Sequence, residues 1–221
     1  MNTQVPVAAT RSLIYKLLAI GYSYPVLESY EDIKNGTFWI KVKENIEQIS
    51  SEILNKAILE VKEGLFLPDI SFEAFESEYL NTFETNIPNP SCSLYGGSYA
   101  TEANRGGILL ELKGFYENFG LNISKNFKEL EDRITAELEF MHFLTFKQAQ
   151  AKEQGLDVMP YLKAQKDFLE RHLGKWIPKF RMDVENKIKS PFFRNLALLT
   201  DAFIASEVQE VQRNIELHSK Q

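Results

Sequence analysis

Apolar residues recur every three or four positions along almost the whole chain, and no stretch of four to eight residues alternates strictly between apolar and polar. That periodicity is the signature of amphipathic helices, and the missing alternation removes the half-buried strand as a building element. The chain is therefore expected to be all-α, a single-chain bundle of about seven to nine helices.

The periodicity also places the helices. Leu13, Ile14, Leu17 and Leu18 form one stripe that Gly21 and Pro25 bring to an end. Phe38, Val42, Ile46, Ile49, Ile53, Ala57 and Val61 continue in phase and predict one long helix. Ser71 is placed to cap a helix whose Phe72, Phe75, Tyr79 and Phe83 share a face. The turn formers from Asn86 to Ser91 interrupt the pattern, and it resumes from Ile108 to Phe119, with Gly120 where a C-terminal glycine stops a helix.

The longest periodic stretch runs from about Glu129 to Glu153, with Leu130, Ile134, Leu138, Met141 and Leu144 on its buried side and Gly155 at its end. Asp157 and Pro160 suit the opening of a further helix, Pro178 is read as starting another, and Ser190-Pro191 as starting the last. The organisation expected is an N-terminal helical part, residues 1–120, and a C-terminal part, residues 121–221, with a hinge at 120–126.

Composition narrows the function. The 221 residues carry 25 Lys and Arg against 31 Asp and Glu, a net charge of -6. A nucleic-acid binder needs the opposite surplus to neutralise phosphate. The one cysteine, Cys92, excludes an internal disulfide and any multi-cysteine metal site. No apolar run approaches the ~20 residues that span a bilayer, and Met1–Thr10 lacks the basic start and apolar run of an export signal, so a cytoplasmic location is expected.

Glu139 and His142 make one Glu-x-x-His, but a di-iron site needs a second copy, and Leu169 and Ile215 stand three residues before the other histidines, His172 and His218. A helical enzyme with a carboxylate–histidine metal site is the alternative that this pair keeps open, and a general helical scaffold protein is another. Gly96-Gly97 and Gly106-Gly107 lack the spacing of a phosphate loop, and no nucleophile elbow is present. No catalytic residue, metal or cofactor is assigned, and a binding function is favoured.

The special residues in the middle of the chain carry a resemblance. Tyr79-Leu80-Asn81-Thr82-Phe83 leads into a loop from Pro88 through Pro90 and Cys92 to Tyr95-Gly96-Gly97-Ser98-Tyr99. Phe115-Tyr116-Glu117-Asn118-Phe119-Gly120-Leu121 follows, then Glu129-Leu130-Glu131-Asp132-Arg133 opening Glu137-Leu138-Glu139-Phe140-Met141. Further on stand Phe168 to Phe180 and Pro191 to Ala197. In order and spacing this series resembles the TorD/DmsD/NarJ family of redox-enzyme maturation chaperones, over residues 75 to 207. Two departures stand out: Arg133 takes the place of the family's histidine, and Gly96-Gly97 that of a Glu-Ser.

The resemblance implies a TorD-like bundle and a cytoplasmic, non-catalytic chaperone of a molybdopterin oxidoreductase of the dimethyl sulfoxide reductase type. It would bind the apo catalytic subunit, its twin-arginine leader or both, assist cofactor insertion and delay export, as a monomer or as a homodimer domain-swapped about the 120–126 hinge. The partner-binding residues implied are Asp132, Glu129, Glu131 and Arg133, with Tyr79, Phe83, Pro90, Tyr95 and Tyr99 walling a groove. Carboxylates suit the leader's guanidiniums. In a helix's first turn they also complement the dipole without any ligand. Arg133 would repel a cationic leader, and Glu129 and Glu137, four residues away on either side, are its expected partners.

Overall fold

The structure is a computed structural model that describes residues 7–61, 70–85, 90–100, 104–121 and 130–219. Over these residues the chain is helical, and the nearest approach to a strand is an isolated antiparallel bridge between Tyr95 and Arg133. Ten α-helices are described: α1 (Val7–Tyr22), α2 (Leu27–Lys34), α3 (Thr37–Ile46), α4 (Glu52–Glu60), α5 (Phe72–Phe83), α6 (Arg105–Asn118), α7 (Ile134–Glu153), α8 (Met159–Arg171), α9 (Leu173–Lys187) and α10 (Pro191–His218). A 3-10 turn, Gly96–Tyr99, precedes α6.

Several ends follow from local chemistry. The Ser71 hydroxyl accepts the Ala74 N–H at 3.2 Å and starts α5. Asp157 accepts the Met159 N–H at 2.9 Å, with Pro160 inside the first turn of α8. Gly120 and Gly155, at φ 72° and 68°, take the left-handed conformation just past α6 and α7.

Four details differ from the periodic reading. The single helix expected from Phe38 to Val61 is two, α3 and α4: Ser51 caps α4 through Leu54 N–H, although the apolar phase runs on across the break. Leu13 and Leu130, read as buried, are exposed. The longest-patterned helix begins at Ile134 rather than near Glu129, because residues 130–133 form a turn held by other contacts. Pro178 lies inside α9; the break falls earlier, at His172 (φ -123°, ψ -98°). The proline forfeits one backbone bond to Gly174, and burial of Trp176, Ile177, Phe180 and Val184 holds the helix through it. Most of the expected 120–126 hinge lies outside the described residues.

α1 lies along α7, and α10 packs on α4, α8 and α9, so early and late helices close over one core. Its centre is aromatic: Tyr15 meets Phe203 edge-on at 4.7 Å, and Phe83 meets Phe193 at 4.9 Å. Beside it lies a buried polar knot. Arg11 clasps Glu207 through Nε and Nη2 at 2.6 and 2.7 Å, and also donates to Gln148 and Gln165, joining α1, α7, α8 and α10. Among the described residues, no helix is long and apolar enough to cross a membrane.

Candidate functional site

The loop after α5 is zipped onto the turn before α7. Cys92 N–H donates to Thr82 O at 3.0 Å, Ile134 N–H to Leu94 O at 2.8 Å and Gly96 N–H to Asp132 O at 2.8 Å. Cys92 itself is buried, and burial pushes its thiol up to about 12, so it is an inert packing residue.

This pairing brings Asp132 against the Gly96–Gly97 turn. Asp132 is fully buried; Oδ2 accepts the Gly97 N–H at 2.8 Å, and Oδ1 has no hydrogen-bond partner. Burial raises its pKa above the usual carboxylate value, against the pull of the Gly97 N–H and of Arg105. A Cβ on Gly97 would sit 2.7 Å from Asp132 Oδ2 and 2.9 Å from Arg105 Cγ, so only glycine fits. Asp132 therefore precedes α7 and spends one oxygen on the loop; of the acidic group, only Glu137 stands in the helix's first turn.

Arg133, next along, turns the other way. Its guanidinium donates to Tyr79 OH at 2.9 Å, Tyr95 OH at 3.1 Å and Glu84 Oε1 at 2.9 Å, and lies 5.6 Å from the centre of the Tyr95 ring. Its ion partner is thus Glu84 at the end of α5, not Glu137, while Glu129 lies outside the described residues. Tyr79 is buried and donates onward to Tyr22 O at 3.0 Å, with Phe83 packed behind it at 5.3 Å in the core. Neither ring presents a face to solvent.

Pro90, Tyr95, Tyr99 and Glu131 are half-buried. Tyr116 OH donates to Glu131 O at 2.8 Å, fixing that turn from α6. Tyr99 stacks on Trp176 with ring centres 5.5 Å apart. The structure thus gathers Asp132, Arg133, Glu131, Tyr79 and Tyr95 into one network, reaches Tyr99 through Trp176, and leaves Phe83 behind it.

Two participants were not legible as such. Glu137 is buried and accepts both of its hydrogen bonds from the Trp176 indole N–H. Trp176 reads as core in the sequence, and nothing local connects it to a residue so far along the chain. The second is Arg105, exposed at the start of α6 beside Asp132.

The Glu139/His142 pair is not assembled into a centre. Glu139 is exposed, and His142 Nδ1 is engaged by Ser12, 2.9 Å from its carbonyl oxygen and 2.7 Å from its hydroxyl. Among the described residues, no three histidine, cysteine or carboxylate side chains converge as metal ligands.

Known proteins resemble the chain throughout. A family model described as the nitrate reductase delta subunit matches residues 47–182. The perchlorate reductase assembly chaperone protein of Dechloromonas aromatica is 44% identical over 201 residues, 91% of this chain and 89% of that protein. The selenate reductase assembly chaperone protein of Thauera selenatis is 39% identical over 122 residues, 55% of this chain and 63% of that protein. The crystal structure of a redox enzyme maturation protein from Archaeoglobus fulgidus shares the fold, with a TM-score of 0.50 at 20% identity over 88% of this chain and 93% of that one. The extent of the family match and the identity to a full-length relative settle the assignment: the chain belongs to the nitrate reductase delta subunit family, the TorD/NarJ group whose motifs it carries.

Proposed function

We propose that this protein is an assembly chaperone for the catalytic subunit of a molybdopterin oxidoreductase of the dimethyl sulfoxide reductase type. It acts in the cytoplasm, performs no catalysis, holds the apo subunit ready for cofactor insertion and delays its export. The observation that carries this reading is the 44% identity, over 91% of the chain, to an assembly chaperone of perchlorate reductase. The relatives named for perchlorate and selenate reductases favour a client that reduces an oxyanion.

Asp132, buried behind the Gly96–Gly97 turn, is the proposed anchor for the client, with Glu131, Tyr95 and Tyr99 around it. A twin-arginine leader offers two guanidiniums beside an apolar segment, and a carboxylate oxygen without a partner is what a guanidinium seeks. Arg133 does not oppose that approach with a free charge, since Glu84 neutralises it at 2.9 Å. Tyr79 and Phe83 serve from behind, holding Arg133 and the loop in place.

Affinity purification of the tagged protein from its native host tests the proposal. The expected co-purifying species is the catalytic subunit of a molybdopterin oxidoreductase, lacking cofactor and retaining its leader, identified by mass spectrometry. Recovery of only the mature, cofactor-loaded subunit, or of no such subunit in cells making the enzyme, contradicts it.

A further inference from the structure

Two buried carboxyl groups flank the Gly96–Gly97 turn. A Cβ on Gly96 would stand 3.1 Å from Glu137 Oε1, and one on Gly97 2.7 Å from Asp132 Oδ2, so the turn is wedged between the two acids. Glu137 is 1% exposed and has the Trp176 N–H, at 3.2 and 3.3 Å, as its hydrogen-bond donor. Asp132 is 0% exposed, and its Oδ1 is unpartnered.

The charged and titratable surroundings are few. The turn before α7 adds Glu131, and α6 adds Tyr116 and, on the Asp132 side, the exposed Arg105. α9 adds the neutral indole of Trp176 and the exposed Lys179, whose ammonium donates to Tyr99 O at 3.1 Å. Arg133 points away to Glu84, Tyr79 and Tyr95. Among the described residues acids thus outnumber cations at a site removed from water, and a low-dielectric interior disfavours two uncompensated carboxylates side by side. Asp132 has a backbone N–H and Arg105 to favour its anion; Glu137 has only the indole. Burial, with Asp132 nearby, accordingly lifts Glu137 well above the ordinary carboxylate range.

We propose that Glu137 carries a proton in the empty chaperone and releases it when a cationic side chain of the client pairs with Asp132, so that the site exchanges one proton for one cation. The Glu137 O–H bond breaks, the proton passes to buffer, and the incoming charge compensates the carboxylate left behind. This rests on Asp132 being the client anchor, and it adds a regulatory consequence: binding strengthens as pH rises.

The test is calorimetric titration of the full-length protein at neutral pH with an acetylated synthetic peptide, two adjacent arginines followed by an apolar run, in phosphate and in Tris. Arginine does not titrate here, so protons released belong to the chaperone. The expected result is a buffer-dependent heat equivalent to about one proton per peptide, with affinity rising by up to about tenfold per pH unit. In Glu137→Gln the peptide still binds, while both the released proton and the pH dependence disappear. Binding without buffer-dependent heat overturns the exchange and leaves the Asp132 anchor standing; a peptide that does not bind at all overturns both. The two-buffer measurement on the unaltered protein decides even if the variant misfolds.

Discussion

Asp132 Oδ2 accepts the Gly97 N–H at 2.8 Å while Oδ1 of the same carboxylate stays buried without a partner. An unmade bond on a buried charged group costs more than a made one contributes, and a guanidinium brought to Oδ1 would supply the missing bond. Asp132→Asn keeps an oxygen for Gly97 and removes the charge. Client recovered in affinity purification should fall about tenfold or more, while the helical circular dichroism signal is unchanged. Undiminished recovery removes Asp132 from the binding site.

Gly97→Ala should destabilise the protein by about 1–3 kcal/mol, because the new methyl meets Asp132 Oδ2 and Arg105 at once. Gly114→Ala, within α6 and with open space around its Cβ position, should stabilise by about 0.5–1 kcal/mol. Urea denaturation of both variants measures the contrast, and equal effects would mean the turn is not wedged.

The Arg11–Glu207 clasp is buried at both ends, so Arg11→Met strands a carboxylate in the core and should cost about 3–5 kcal/mol. Replacing both, Arg11→Met with Glu207→Leu, should recover most of that loss, since no charge then remains unpaired. A double-mutant cycle in urea distinguishes this from simple additivity.

Glu137 makes stability depend on pH in a direction that can be fixed beforehand. Burial raises its folded pKa above the unfolded one, so the folded chain keeps a proton that the unfolded chain releases. That contribution is complete below the ordinary glutamate range and drains away as pH rises through the folded value. Relative to Glu137→Gln, the unaltered protein should therefore lose Tm progressively from acidic to mildly alkaline pH. A difference in Tm that is constant with pH would mean that Glu137 is ionised throughout.

Much of the fold is written locally, and the site is written only in part. Ser71, Asp157, Gly120 and Gly155 each act on backbone within a few residues, and these helix ends are where the pattern places them. The division between α3 and α4 is hidden because Ile46, Ile49 and Ile53 stay in phase across it, which outweighs the local cap that Ser51 supplies to α4. The Arg11 knot draws its partners from α7, α8 and α10, far along the chain, where periodicity sees only an isolated charge on a helix. Arg133 illustrates the same limit. Spacing offers it Glu137 four residues away, but the bridge at Tyr95 turns its guanidinium toward α5, where Glu84 waits. Family motifs lead to Asp132 and its neighbours, whereas the Glu137–Trp176 contact exists only in three dimensions.

The molybdenum content of the client's catalytic subunit, measured by elemental analysis after purification from cells with and without this gene, bears most directly on the account. Chaperoning predicts full loading in the presence of the gene, a large fall in its absence, and recovery when the gene is restored. Equal molybdenum content in both strains would contradict it.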